Sequence, residues 1–191
     1  MPACHFTHAC ADAASLLHGD WKGAPVRRIV ARVPAGVMKT VCEPIENKRR
    51  PANAYEAQFS IPYSVATGLR FGRFTLDALE PAAFQDPQTL ALAALVECEA
   101  DPKADFPRYY GGEVSVELAD GRILKHSEPV NRGAAGRPIS NADIVAKFHD
   151  NAARAVNRAQ ADRILEAVLS MEQGSARELA QLLGTPARLE K

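Results

Sequence analysis

Apolar residues recur along this chain with two different periods, and the changes from one to the other divide it into elements. From Val26 to Val33 the period is two. Ile29, Ala31 and Val33 alternate with Arg28, Val30 and Arg32, as in a strand with one buried face, and Pro34 and Gly36 end the run. Glu113 to Ala119 alternates again, Asp120-Gly121 supplies a tight turn, and Arg122 to Ser127 returns, which predicts a β-hairpin.

Elsewhere the spacing is helical. Phe6 to Leu17 carries the stripe Ala9, Ala13, Leu16 and Leu17, broken by Gly19 and Gly23, with Trp21 placed to anchor the turn into the first strand. A second helix is predicted from Ile61, with Ser60 as N-cap and Pro62 in the first turn, where proline is tolerated. Residues 71–85 predict a helix exit and a short helical turn, and Asp86-Pro87 opens a helix over Gln88–Cys98. Near the end, Ser140 and Asp143 form a capping-box-like start for a helix near residues 140–155. Two more follow, one over Ala159–Met171 and one capped by Ser175 with Glu178 three residues on. The expected fold is α+β: a small antiparallel sheet of at least three strands covered by helices, followed by C-terminal helices.

Composition narrows the function classes. The chain has 191 residues, 47% hydrophobic and 24% charged, which describes an ordinary globular protein. Lys plus Arg and Asp plus Glu number 23 each, so the overall charge favours neither nucleic acid nor an anionic membrane. No apolar run approaches the ~20 residues of a spanning helix, and no signal peptide is expected at the N-terminus, so a cytoplasmic location is expected. Cys4, Cys10, Cys42 and Cys98 are few and irregularly spaced, which suits reduced thiols.

Candidate chemistry concentrates at the start, where Cys4, His5, His8, Cys10 and Asp12 stand within nine positions. On a helix, His5 and His8 are three apart and His8 and Asp12 four apart, close enough to share a face. Such a row can hold a carboxylate or pass a proton; it can equally be the polar end of a packing helix. Cys4, His5 and His8 are metal-ligand types, but no second ligand pair follows at zinc spacing, so neither metal nor other cofactor is expected. Lys48, Arg49 and Arg50 form a cationic run in the polar stretch 42–54, either an anion clamp or a solvated loop. Tyr63 falls in the first turn of its helix, where its hydroxyl can meet a ligand or a core partner. The loop from Asn131 to Ser140 lacks the ending of a phosphate-binding loop.

Four stretches carry a family resemblance: Pro2 to Ala14, Cys42-Glu-Pro through Lys48-Arg-Arg-Pro, Ala57 to Ala66, and Gly136-Arg-Pro-Ile-Ser through Lys147-Phe148. In order and spacing they resemble the C-terminal part of the MmgE/PrpD family, which includes 2-methylcitrate dehydratase and cis-aconitate decarboxylase. The resemblance implies a two-part enzyme in which a small α+β lid closes over a polycarboxylate bound against a large helical domain. Residues 1–138 correspond to the lid, and 139–191 to terminal helices that pack on the helical domain, which this chain lacks. His8 and Tyr63 match active-site positions of the family and His5 sits at a variable one. Lys48, Arg49 and Arg50 are placed to hold carboxylates.

Two functions follow as expectations. One is the lid-side part of a lyase for a small di- or tricarboxylate, inactive alone, whose partner is a separate N-terminal helical domain. The other is a stand-alone binding module that keeps the lid fold without catalysis. In either case Ile144, Val145, Phe148, Ile164, Leu165, Val168, Leu179 and Leu182 would lack their cover, and a homodimer or larger assembly is expected.

Overall fold

The computed structural model describes residues 1–184. A single 3-10 turn, His5–Thr7, leads into α1, His8–Trp21. Its buried side is Ala9, Cys10, Ala11, Ala13, Ala14 and Leu17, whereas Leu16, expected in the stripe, faces solvent. Trp21 closes the turn that follows by donating its Nε1–H to the Ala24 carbonyl at 2.7 Å.

Strand β1, Val26–Pro34, is followed by three short helices: α2, Met38–Val41; α3, Ile45–Arg49; and α4, Ala54–Gln58. The polar stretch 42–54, expected as a loop, therefore contains α3 and the start of α4. Helix α5, Ile61–Phe71, starts as predicted, with the Ser60 hydroxyl accepting the Tyr63 N–H at 3.0 Å. It ends at Gly72, whose φ of 66° is a left-handed cap natural to glycine. Two helices complete the crossover: α6, Pro81–Phe84, and α7, Pro87–Ala94, the latter capped by Asp86.

Here the structure corrects the expected elements. Helix α7 stops at Ala94, and Val96–Asp101 is a strand, β2, parallel to β1 with Ile29 opposite Val96. The hairpin is β3, Gly112–Leu118, and β4, Ile123–Glu128, with β3 antiparallel to β1. The α+β class holds, and the sheet is mixed, in the order β2-β1-β3-β4. The connection from β1 to β2 carries six of the helices, α2 to α7, the kind of long crossover that parallel neighbours need.

Alternation along the strands gives the sheet two unlike faces. Ile29, Ala31, Val33, Val114, Val116 and Leu118 are buried in one core with Ala14 and Leu17 of α1 and Val65 and Leu69 of α5. Each fully buried valine, leucine or isoleucine among them contributes ~1.5–3 kcal/mol. The opposite face is ionic: Arg28 pairs with Glu97 at 2.6 Å, and Arg32 with Glu99 at 3.0 Å and Glu113 at 2.9 Å. Lys125 joins Glu113 from β4 at 3.0 Å.

The chain divides into two compact units, Met1–Pro138 and a second beginning at Ile139. The second holds α8, Asn141–Ala152; α9, Arg158–Leu169; and α10, Ala176–Gly184. Ser140 caps α8 as predicted, and Ser175 and Glu178 exchange capping bonds at the start of α10. Within this unit Ile164 is buried, while Ile144, Val168, Leu169, Met171 and Leu183 are exposed. Of the expected second unit, 139–191, residues 185–191 lie outside the described residues.

Candidate functional site

The first residues are tied down by backbone bonds. Cys4 N–H donates to the Gln58 carbonyl at 2.9 Å, the Gln58 amide donates to Pro2 O at 3.2 Å, and the Thr7 hydroxyl donates to Cys4 O at 2.8 Å. This anchored turn brings the His5 and His8 rings edge to face, with centroids 5.2 Å apart. His8 Nε2 lies 3.1 Å from the Ala3 carbonyl. A carbonyl can only accept, so Nε2 of His8 carries a proton.

His5 also stacks edge-on to Tyr110 at 4.7 Å, and its Nε2 is 2.9 Å from the side-chain amide nitrogen of Asn131. One turn past His8, Asp12 is partly buried and pairs with Arg132 at 3.5 Å. Burial raises its carboxyl above the ordinary value, against the opposing pull of Arg132 and Arg137. Arg137 in turn pairs with buried Glu128, which meets His126 Nε2 at 2.9 Å.

Tyr63 lies 1% exposed on α5, and its hydroxyl donates to the Ala78 carbonyl at 2.6 Å. Burial raises its phenol, which stays neutral and a donor. The ring lines a pocket of about 190 Å³ with Thr67, Phe71, Arg73, Thr75 and Asp77. Ala3, whose carbonyl meets His8, also packs on the cluster formed by Tyr63, Ala57, Phe74, Ala78 and Phe84. The segment 1–4 thus lies between His8 and the surroundings of Tyr63.

The cationic run is dispersed. Lys48 Nζ donates to the carbonyls of Thr40 and Phe59, both at 2.8 Å, and its own carbonyl accepts from the Ser60 hydroxyl that caps α5. Arg49 donates through Nε at 3.1 Å and Nη2 at 2.9 Å to Val96 O, beneath the start of β2. Arg50 is exposed. Two of the three cations thus bind backbone oxygens that the helix ends and strand leave over, a use of lysine and arginine that a charge run does not reveal.

None of the cysteines is disulfide-bonded. Burial pushes the Cys10 thiol up, and a hydrogen bond with Cys98, reinforced by burial, does the same for Cys42. Both stay protonated and are poor nucleophiles. Among the described residues no group of three or more His, Cys, Asp or Glu side chains is placed to hold a metal ion. No helix among them is long and apolar enough to cross a membrane.

Sequence reasoning missed Tyr110, Asn131, Arg132 and Arg137. They come from the loops flanking the hairpin, and the Asn131-Arg132-Gly133 stretch drew attention only as a failed phosphate loop. Their signal is three-dimensional: β3 and β4 run alongside α1 and deliver both loops to its N-terminal end.

The first unit is thus an α+β domain with a histidine pair at a helix entry, a partly buried carboxylate and arginines converging on it. Residues 1–173 match the model of the MmgE/PrpD C-terminal domain, and the chain belongs to that family. It is 28% identical over 185 residues to human cis-aconitate decarboxylase, covering 90% of this chain and 36% of that protein. It is 27% identical over 181 residues to the mitochondrial 2-methylcitrate dehydratase of Yarrowia lipolytica, covering 85% of this chain and 33% of that protein. The chain therefore spans about a third of the length of these relatives.

Proposed function

We propose that this chain is the C-terminal, lid-side part of a lyase of the MmgE/PrpD type, acting on a small di- or tricarboxylate and inactive without a helical domain. The names of the relatives, cis-aconitate decarboxylase and 2-methylcitrate dehydratase, suggest the substrate class. The observation that carries the reading is the grouping of His5, His8, Asp12 and Arg132 at the entry of α1, with Tyr63 across the anchored segment 1–4.

Loss of water beside a carboxylate needs a base for the carbon-bound proton and an acid for the leaving hydroxyl, loss of carbon dioxide needs an acid to protonate the carbon left behind, and both need cationic or N–H donors for the acid groups. In the neutral His8 ring the proton sits on Nε2, held by Ala3 O, and the lone pair is on Nδ1. That tautomer suits proton acceptance. Arg132 serves an incoming carboxylate, and Tyr63 acts as a neutral donor on shifting its hydroxyl bond from Ala78 O to the substrate. The cationic run contributes through Arg50, with Lys48 and Arg49 holding the walls.

Mixing the chain with the helical portion of a relative should restore turnover of cis-aconitate or 2-methylcitrate. His8→Ala and Tyr63→Phe should each lower the recovered kcat by about a hundredfold, the usual worth of a positioned acid or base. An assembled complex without turnover, or one indifferent to His8→Ala, would refute the proposal.

A further inference from the structure

The contact between Asn131 and His5 fixes more than a distance. Asn131 is 3% exposed, and its two polar atoms face different partners. Its Oδ1 accepts the backbone N–H of Tyr110 at 2.9 Å, and its Nδ2 lies 2.9 Å from His5 Nε2. The Tyr110 N–H can only donate, so the amide cannot be turned over without setting N–H against N–H in a buried position, where an unmade bond is costly. With Oδ1 committed, Nδ2 must donate to His5, and His5 Nε2 must accept. A ring protonated at Nε2 would again oppose two donors.

The geometry points to Asn131 as a positioning residue that holds His5 in the neutral Nδ1–H tautomer. His5 is then a hydrogen-bond donor through Nδ1, suited to a carboxylate oxygen, and not a second base. Its neighbour His8 carries the opposite tautomer, with its proton on Nε2 toward Ala3 O. Two histidines three residues apart, chemically identical in the sequence, thereby carry opposite tautomers, His8 through Ala3 O and His5 through an amide 126 positions away. Second partners of this kind commonly decide which ring nitrogen is protonated. The use of His5 as a carboxylate donor rests on the proposed function; the tautomer does not.

The test is a long-range ¹H–¹⁵N correlation spectrum of the 191-residue chain, labelled at histidine and recorded with the His5 ring neutral. Nε2 of His5 should show the shift of an unprotonated nitrogen and Nδ1 that of a protonated one; the reverse assignment overturns the inference. Asn131→Asp keeps an acceptor for Tyr110 N–H and places a second acceptor opposite Nε2, so Nε2 should become the protonated nitrogen. Asn131→Ala, a second variant in case the first does not fold, should release the ring to a mixture of tautomers. A His5 spectrum unchanged in either folded variant refutes the positioning role. The expected spectra together with no turnover by the parent chain assembled with a helical portion would count against the proposed function alone.

Discussion

Lys48 illustrates how residue type and residue role part company. Its ammonium serves two carbonyls at 2.8 Å, and burial lowers its pKa from the ordinary lysine value; its removal strands both acceptors. Lys48→Met is expected to lower stability by about 2 kcal/mol, the scale of hydrogen bonds to a charged group, read from the urea midpoint. Asp12 works in the opposite sense. Its native carboxyl lies above the ordinary value of 3.8, so the folded state binds that proton more tightly than the unfolded chain does. This contribution to stability is present below the unfolded value and is lost as pH rises through the native one. Asp12→Asn keeps a neutral side chain at every pH, and should be more stable than the parent near pH 7 with the gain vanishing toward about pH 3. Urea titrations at the two pH values check it. Of the candidate site, His5, His8 and Asp12 were legible as neighbours from their helical spacing, and Tyr63 was marked by the family resemblance. Asn131 and Arg132 were not, since nothing local marks a loop residue whose partner lies on α1.

Between elements, α1 and α5 approach closely at Gly68. A Cβ on Gly68 would stand 2.6 Å from Ala11 O and 3.0 Å from Ser15 Oγ. Gly68→Ala would gain ~1 kcal/mol of helix propensity. The overpacking it forces against a backbone oxygen outweighs that, and a net loss of about 2 kcal/mol is expected in thermal or urea unfolding. The helix starts at Ser60, Asp86 and Ser140 and the hairpin were readable because a cap or a turn residue states its own role. Strand β2 escaped because Leu90, Leu92 and Leu95 continue a helical spacing up to Val96 and Cys98. Only pairing with β1, more than sixty positions earlier, selects the period of two in Val96-Glu97-Cys98-Glu99. The same pairing made the sheet mixed, since a strand returning through helices arrives parallel.

At the scale of the whole molecule, the helices of the second unit leave apolar side chains uncovered. Leu169 is 74% exposed, Met171 59% and Ile144 54%, and a net formal charge of zero does little to keep copies apart. Sedimentation velocity should show mass rising with concentration, and Val168→Asp with Leu169→Asp should return the chain toward monomer. The first unit turns a different surface outward, the ionic face of the sheet, where Glu113 accepts from both Arg32 and Lys125 while Arg32 also reaches Glu99. Each of these partly exposed pairs is weak by itself. Their linkage has an evolutionary consequence. Reversing Glu113 alone would set three cations side by side, whereas the same change after Arg32 or Lys125 has been replaced meets less repulsion. The effect of a substitution there depends on what came before it, and the order of arrival decides which sequences this sheet can reach.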